Sequence, residues 1–341
     1  MKKVTFFAAA VAMLALASCN KEESGMASLS MTKEAATSDD KQAYGNDRIF
    51  FTNGEDIIVN GVTYQLNASA NRQKAFTFVH ANSEGYKVNY GNVYMDGNQV
   101  KANFRSEVNL VPNLVENVEI AAENNPWAMS AFVADAGQTF TLLHNVAYIA
   151  PTVKYGNEFI NFMWGDNGKD QAYAGQVDAN TTPTLVLDKI VLTSSDMQFS
   201  GTATLGQSIY GEEIFIMDAA AQGENTLTIN ANAPVQHSLP GDQSTSYRLG
   251  AVPVCPMYYM PGVGMDAKHV NVVFYFTATI KVGGVDVARH FTYSGSFVTS
   301  QNLQFKRGRY LDFKCNLFNL GANTSAGTLG WNDKVVVYET I

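Results

Sequence analysis

The chain has 341 residues, 46% of them hydrophobic and 11% aromatic, which is length and apolar side chain enough for more than one domain with a real core. Its formal net charge is −8 and it has no basic run, so nucleic acid is not an expected partner, because that binding rests on clustered Lys and Arg neutralising phosphate.

Lys2 and Lys3 precede an apolar run from Val4 to Ala17 that ends in Leu16-Ala17-Ser18-Cys19. A basic start, a run too short to cross a bilayer and small residues at its end make a signal peptide with a lipobox. Residues 1–18 are expected to be removed between Ser18 and Cys19. The Cys19 thiolate then takes a diacylglyceryl group, and its acyl chains (palmitate in type) anchor the protein with about 0.8 kcal/mol per buried CH₂. Asn20-Lys21-Glu22-Glu23 resembles the lysine-plus-acid signal that sends Bacteroidales lipoproteins to the outer face of the outer membrane, so a surface-exposed outer-membrane lipoprotein is expected. From Glu22 to Asp47 the chain is rich in Ser, Ala, Thr, Lys and acids, with almost no aromatic or β-branched apolar residues. Residues 19–48 are therefore expected to be a lipidated, flexible, solvated tether or propeptide.

From Arg48 onward the dominant period is two, in short runs separated by Gly, Asn, Asp and Pro. Ile57 to Leu66 contains Asn60-Gly61, the chemistry of a tight hairpin turn. Further strands are expected over Ala75 to His80, Tyr86 to Tyr90, Thr139 to Val146, Thr184 to Leu192, Met197 to Leu205 and Thr226 to Ile229. The longest hairpin runs from Val270 to Tyr293 around Gly283-Gly284, glycines that supply the positive φ angles. Only Asn109 to Ala122 has helical spacing, and Pro112 limits its start. The fold class is all-β. Many short strands favour β-sandwiches, because βαβ crossovers need helices that the pattern lacks. Two domains are expected, 49–182 and 183–341, joined at the polar stretch from Asp178 to Pro183. Beyond Cys19 the cysteines are Cys255 and Cys315, for which a disulfide and two buried thiols are equally good readings.

Catalytic and metal chemistry is hard to find. His80, His144, His237, His269 and His290 are scattered without ligand spacing, so structural roles are expected and no metal. Asp166-Asn167-Gly168-Lys169-Asp170 has the look of a calcium loop without its spaced third acid and terminal glutamate, and a polar turn is the simpler reading. No nucleophile elbow, phosphate loop or dinucleotide fingerprint is present. Glu212-Glu213 and Asp39-Asp40 are adjacent pairs, and neighbours on a strand face opposite ways. No enzyme and no cofactor are expected.

Several segments together resemble the fimbrillin family, the lipoprotein subunits of type V pili of Bacteroidales and their tip and anchor relatives. They are Gly54 to Tyr64, Leu142-Leu143-His144-Asn145-Val146-Ala147-Tyr148, Leu187 to Leu192 followed by Ser200-Gly201-Thr202-Ala203, Phe305 to Phe313, and Gly330 to Tyr338. The resemblance implies two transthyretin-like β-sandwiches. It also implies assembly by strand exchange: a trypsin-like or arginine-specific protease cuts after a basic residue, the first strand is lost, and a strand from another pilin subunit fills the groove in a homo- or heteropolymer. On that scheme the implied role is a shaft or tip component, with a host surface ligand as a further partner.

Arg48, the first arginine, stands between tether and first β pattern and is the candidate propeptide cleavage site, with Lys41 and Arg72 as rivals and a plain surface arginine as the alternative. The β-branched run from Asp333 to Ile341 is either a donor strand for a neighbour, with Val335, Val337 and Glu339 on one face, or the last strand of its own sheet. A different class of function, a monomeric surface lipoprotein that binds glycans, would use Trp127, Trp164, Tyr258 and Tyr259 as stacking platforms, against core packing as their ordinary role.

Overall fold

A computed structural model describes residues 25–38, 47–48, 50–69, 72–112, 125–219, 223, 225–238, 248–258, 266–300, 304–317 and 334–338. The lipobox with Ser18 and Cys19 lies outside them.

The described chain is nearly all strand. In order come β1 (Met26–Lys33), β2 (Ala35–Ser38), β3 (Asp47–Arg48), β4 (Asp56–Val59), β5 (Val62–Gln65), β6 (Asn67–Ala68), β7 (Lys74–His80) and β8 (Tyr86–Gly91). Next are β9 (Tyr94–Asp96), β10 (Gln99–Phe104), β11 (Glu107–Asn109), β12 (Ala128–Val133), β13 (Thr139–His144) and β14 (Ala147–Tyr155). The helix α1 (Asn157–Trp164) precedes β15 (Thr184–Thr193), β16 (Gly201–Gln207), β17 (Glu213–Met217) and β18 (Thr226–His237). Last come β19 (Val252–Val254), β20 (His269–Val282), β21 (Val285–Val298), β22 (Arg309–Leu317) and β23 (Lys334–Tyr338).

These strands build a β-sandwich-like fold. The chain divides into two compact units that interleave along the sequence. One draws on Met1–Glu34, Phe50–Gly91 and Met129–Leu143, the other on Ala35–Ile49, Asn92–Ala128 and His144–Ile341. The polar stretch 178–183 lies inside the second unit, where Asp178 N donates to Lys281 O (2.8 Å) and its carboxylate accepts from Gly283 N and Gly284 N, both at 2.9 Å. It caps the long hairpin of β20 and β21, whose two glycines have φ of 57° and 81°.

The first unit holds an eight-stranded sheet in the order β5-β4-β8-β12-β13-β1-β7-β6. Asn60 and Gly61, with φ of 49° and 81°, turn β4 into β5 as their sequence requires. Its core is made by Leu29, Met31, Phe51, Ile57, Val59, Val79, Val88, Tyr90 and Leu142, all almost fully buried.

The second unit holds a four-stranded sheet, β17-β16-β10-β9, and a larger one running β23-β21-β20-β15-β18-β14-β22-β2-β3, with β11 on β18 and β19 on β14. All nine residues of β14 are buried, and it pairs in parallel with β22 from Tyr148↔Tyr310 to Tyr155↔Leu317. A strand covered on both faces reads as a nearly continuous apolar run, and β14 does. Parallel pairs thus occur without helical crossovers, because their partners are far apart in sequence: β1 with β13, β2 with β22, β11 with β18.

Two expectations about elements need correction. The supposed solvated tether contains β1 and β2, with Leu29, Met31 and Ala36 buried to 1% exposure or less. Leu29-Ser30-Met31-Thr32 alternates, but with one β-branched residue and no aromatic one, a weak strand signal that tertiary burial completes. The helix expected over 109–122 falls largely outside the described residues; its start is strand at Asn109 and a bridge from Val111 to Ala251. The described helix is α1, whose Phe159, Met163 and Trp164 face the core of the second unit.

Candidate functional site: the seat of the first strand

β1 occupies the interior of its sheet. On one side it pairs antiparallel with β7 from Met26↔His80 to Thr32↔Lys74, and on the other in parallel with β13 from Ser30↔Thr139 to Lys33↔Leu142. Further bonds fix its ends: Ala81 N donates to Gly25 O (2.7 Å) and Glu34 N to Leu142 O (2.8 Å). Its outward side chains form a hydroxyl ladder, Ser30 to Thr139 at 3.3 Å and Thr32 to Thr141 at 3.2 Å. Inward, Leu29 and Met31 are fully buried, a contribution of about 1.5–3 kcal/mol each.

The third inward residue is a lysine. Lys33 is 8% exposed, and its Nζ donates to Phe50 O and to Tyr90 Oη, both at 2.9 Å. It lies 4.3 Å from the ring centroid of Phe51 and 4.1 Å from that of Tyr90, within cation–π range. The Tyr90 hydroxyl passes the chain on by donating to the Glu55 carboxylate, which also accepts from Thr52 N (2.7 Å). Burial pushes the Lys33 ammonium well below its ordinary range, Glu55 opposes that and the nearby Arg72 adds to it. Tyr90 is pushed upward, first by burial and then by Glu55.

β1 and β2 are separated only by Glu34, where the chain passes from the first unit to the second. β2 pairs in parallel with β22 and antiparallel with β3, in which Arg48 is opposite Ala35. Arg48 therefore ends the segment that contains β1, β2 and β3. Its rival Lys41 lies outside the described residues. Arg72 sits in the turn before β7 with φ of 59°, donating to Phe51 O and Thr52 Oγ1 at 3.3 Å each.

At the other end, β23 is the edge of the larger sheet and pairs with β21, Val335 opposite Tyr293 and Val337 opposite Phe291. The last-strand reading describes its backbone; Glu339 lies outside the described residues.

The aromatic residues considered for sugar stacking are core: Trp127 is 2% exposed, Trp164 3% and Tyr258 6%, while Tyr259 lies outside the described residues. A different tyrosine is exposed. Tyr210 stands 5.6 Å from Tyr258 over a cleft of about 450 Å³ in which Tyr258 donates to Glu212 (2.8 Å) and Arg307 pairs with Glu212 (3.3 Å). Sequence reading missed it, since one tyrosine in a polar turn carries no periodic signal.

The remaining candidates have structural partners. His144 meets the Tyr148 hydroxyl (2.9 Å), His237 Asn157, His269 Asp196 and His290 Thr277. Among the described residues no three His, Cys, Asp or Glu gather as a metal site. Asp170 of the loop weighed for calcium is buried against Arg289 and Trp164. Cys255 and Cys315 are free thiols, the first donating to Phe215 O (3.3 Å).

No protein-family model and no curated protein matches the chain. Among solved structures, it is similar to a candidate cell adhesion protein from Bacteroides ovatus at 10% identity and a TM-score of 0.40, covering 91% of this chain and 95% of that one. Two others, also described as candidate cell adhesion proteins, come from Bacteroides eggerthii (11% identity, TM-score 0.35, 93% and 96% covered) and Bacteroides thetaiotaomicron (12%, 0.30, 85% and 92%). Scores this low leave fold and function to be argued from the chain itself.

Proposed function

We propose that this chain is a structural or adhesive subunit of a cell-surface fimbria, in its shaft or at its tip, held on the outer membrane through lipid on Cys19 and assembled by protease-triggered strand exchange. The observation that carries this reading is the interior place of β1, in a segment that ends at Arg48. A cut there leaves β1, β2 and β3 on one separate segment, held by pairing alone. Its displacement leaves the facing ladders of β7 and β13 unpaired, with a trough where Leu29 and Met31 lay, and it exposes the edge of β22. Unpaired ladders above an apolar trough are completed by any strand with matching hydrogen bonds and alternate side chains. Because donor and acceptor surfaces differ, such completion is head-to-tail, and where its rotation does not close a ring it yields a filament.

The test is to treat the lipidated precursor with a trypsin-like protease, sequence the new N-terminus and run the product unboiled on a denaturing gel. A cut after Arg48 followed by heat-labile high-mass ladders is expected. A trimmed core that stays monomeric, alone and with its co-expressed surface proteins, counts against the proposal.

A second reading, a monomeric glycan-binding lipoprotein, is favoured by the Tyr210–Tyr258 cleft with Arg307 at its side. Soluble oligosaccharide retained by the wild type and lost in Tyr210→Ala, without ladders, would put it first.

A further inference from the structure

We propose that the seat of β1 selects its new occupant by charge: it takes a partner strand of the pattern apolar-x-apolar-x-Lys, whose lysine replaces Lys33 against Phe50, Tyr90 and Glu55. This rests on the strand-exchange reading and narrows it from any apolar strand to one class of partner.

Alternate residues of a strand face one way, so an incoming segment lays three side chains where Leu29, Met31 and Lys33 lay. The first two places are apolar and tolerant. The third is bounded by Phe50 O, the Tyr90 hydroxyl and, behind it, the Glu55 carboxylate. An aliphatic residue there covers these oxygens without returning the donor they hold now, and buried acceptors left without a donor are costly. A glutamate would set a second carboxylate near Glu55. The approach between the Phe51 and Tyr90 rings, with Nζ 4.3 and 4.1 Å from their centroids, suits a slim unbranched stem ending in a cation.

The same rule bears on a second copy of this chain as donor. Laid in the direction of β1 with Val335 and Val337 in the apolar places, its C-terminal run puts Glu339 in the lysine place. Shifted by one, it offers Val336, Tyr338 and Thr340. Neither register laid this way supplies a lysine, so the C-terminal run in this direction does not meet the rule.

The experiment uses the full chain cut after Arg48 and exchanged against a labelled synthetic peptide of residues 25–38 in excess over the roughly millimolar effective concentration of its own retained segment. Competitors are the same peptide, its Lys33→Met and Lys33→Glu forms, and a peptide of residues 333–341. Relative to wild type, about thirtyfold weaker competition is expected for Lys33→Met and about a hundredfold or more for Lys33→Glu and residues 333–341, the range for truncating or reversing one partner of a buried charged contact. On a Glu55→Gln chain the gap between the Lys and Glu peptides should shrink; if that variant does not fold, the peptides on the unaltered chain decide alone. Equal competition by all four overturns the charge selection and leaves strand exchange standing. No uptake of the wild-type peptide overturns strand exchange itself, and this proposal with it.

Discussion

Arg289 meets Asp170 across 119 residues of sequence with two 2.7 Å bonds, Nε and Nη2 each donating to one carboxylate oxygen, in a pair whose side chains are 11% and 2% exposed. Asp170 also accepts from the Trp164 indole at 3.0 Å, so one carboxylate ties the loop after α1 to β21. Removing one partner of a buried pair strands the other. Asp170→Ala should destabilise the second unit by about 3–5 kcal/mol. A urea midpoint unchanged from wild type would refute this.

Leu29→Ala separates the precursor from its product. In the uncut chain it removes a fully buried side chain from the middle of a sheet and should cost about 2–5 kcal/mol. In a chain cut after Arg48 and freed of its N-terminal segment, the residue is gone and the two proteins should melt alike. A melting difference that persists would mean that β1 stays behind.

Lys33 gives the precursor a pH dependence with a definite sign. Its proton is held less tightly when folded, mainly through burial, than in the unfolded chain, where the value is about 10.4. Between the lowered folded value and that limit the unfolded state binds more protons, so stability rises with pH; below the window both states are protonated and the dependence vanishes. Relative to Lys33→Met, the wild-type melting temperature should climb on going from neutral pH toward about 10. Parallel curves for the two proteins would remove the effect.

The thiols give a chemical check. Burial raises the Cys255 thiol to about 12 and the Cys315 thiol well above its usual range, so neither is a ready nucleophile. A thiol reagent at pH 8 should label neither in the native protein and both in denaturant without reductant. Labelling that needs reductant would reveal a disulfide.

The sequence shows some of this architecture and hides the rest for physical reasons. Asn60-Gly61 and Gly283-Gly284 announce their hairpins because few residue pairs hold two successive positive φ angles. Alternation in residues 270–280 is legible because the strand it forms is buried on one face only. β1 hides in a tether-like stretch, since Leu29-Ser30-Met31-Thr32-Lys33 has a single β-branched residue and no aromatic one, and its ladder partners lie more than forty residues away. In sequence, the lysine that marks the seat is indistinguishable from a solvated charge. Only the fold sets it between Phe51 and Tyr90, and no local pattern encodes that meeting.

The lone Glu34 between β1 and β2 makes the N-terminal segment a two-handed ligand. Once the backbone is cut, β1 holds its sheet through seven residue pairs with β7 while β2 holds β22 through two, and whichever releases first remains tethered beside its site by the other. Rebinding is then governed by an effective concentration, in the millimolar range for a short linker, and not by the dilute concentration of free peptide. Nicking and opening become separate events. The nicked subunit should keep its own strand, migrating as a two-chain species in native gels, until a competitor strand displaces both grips in turn.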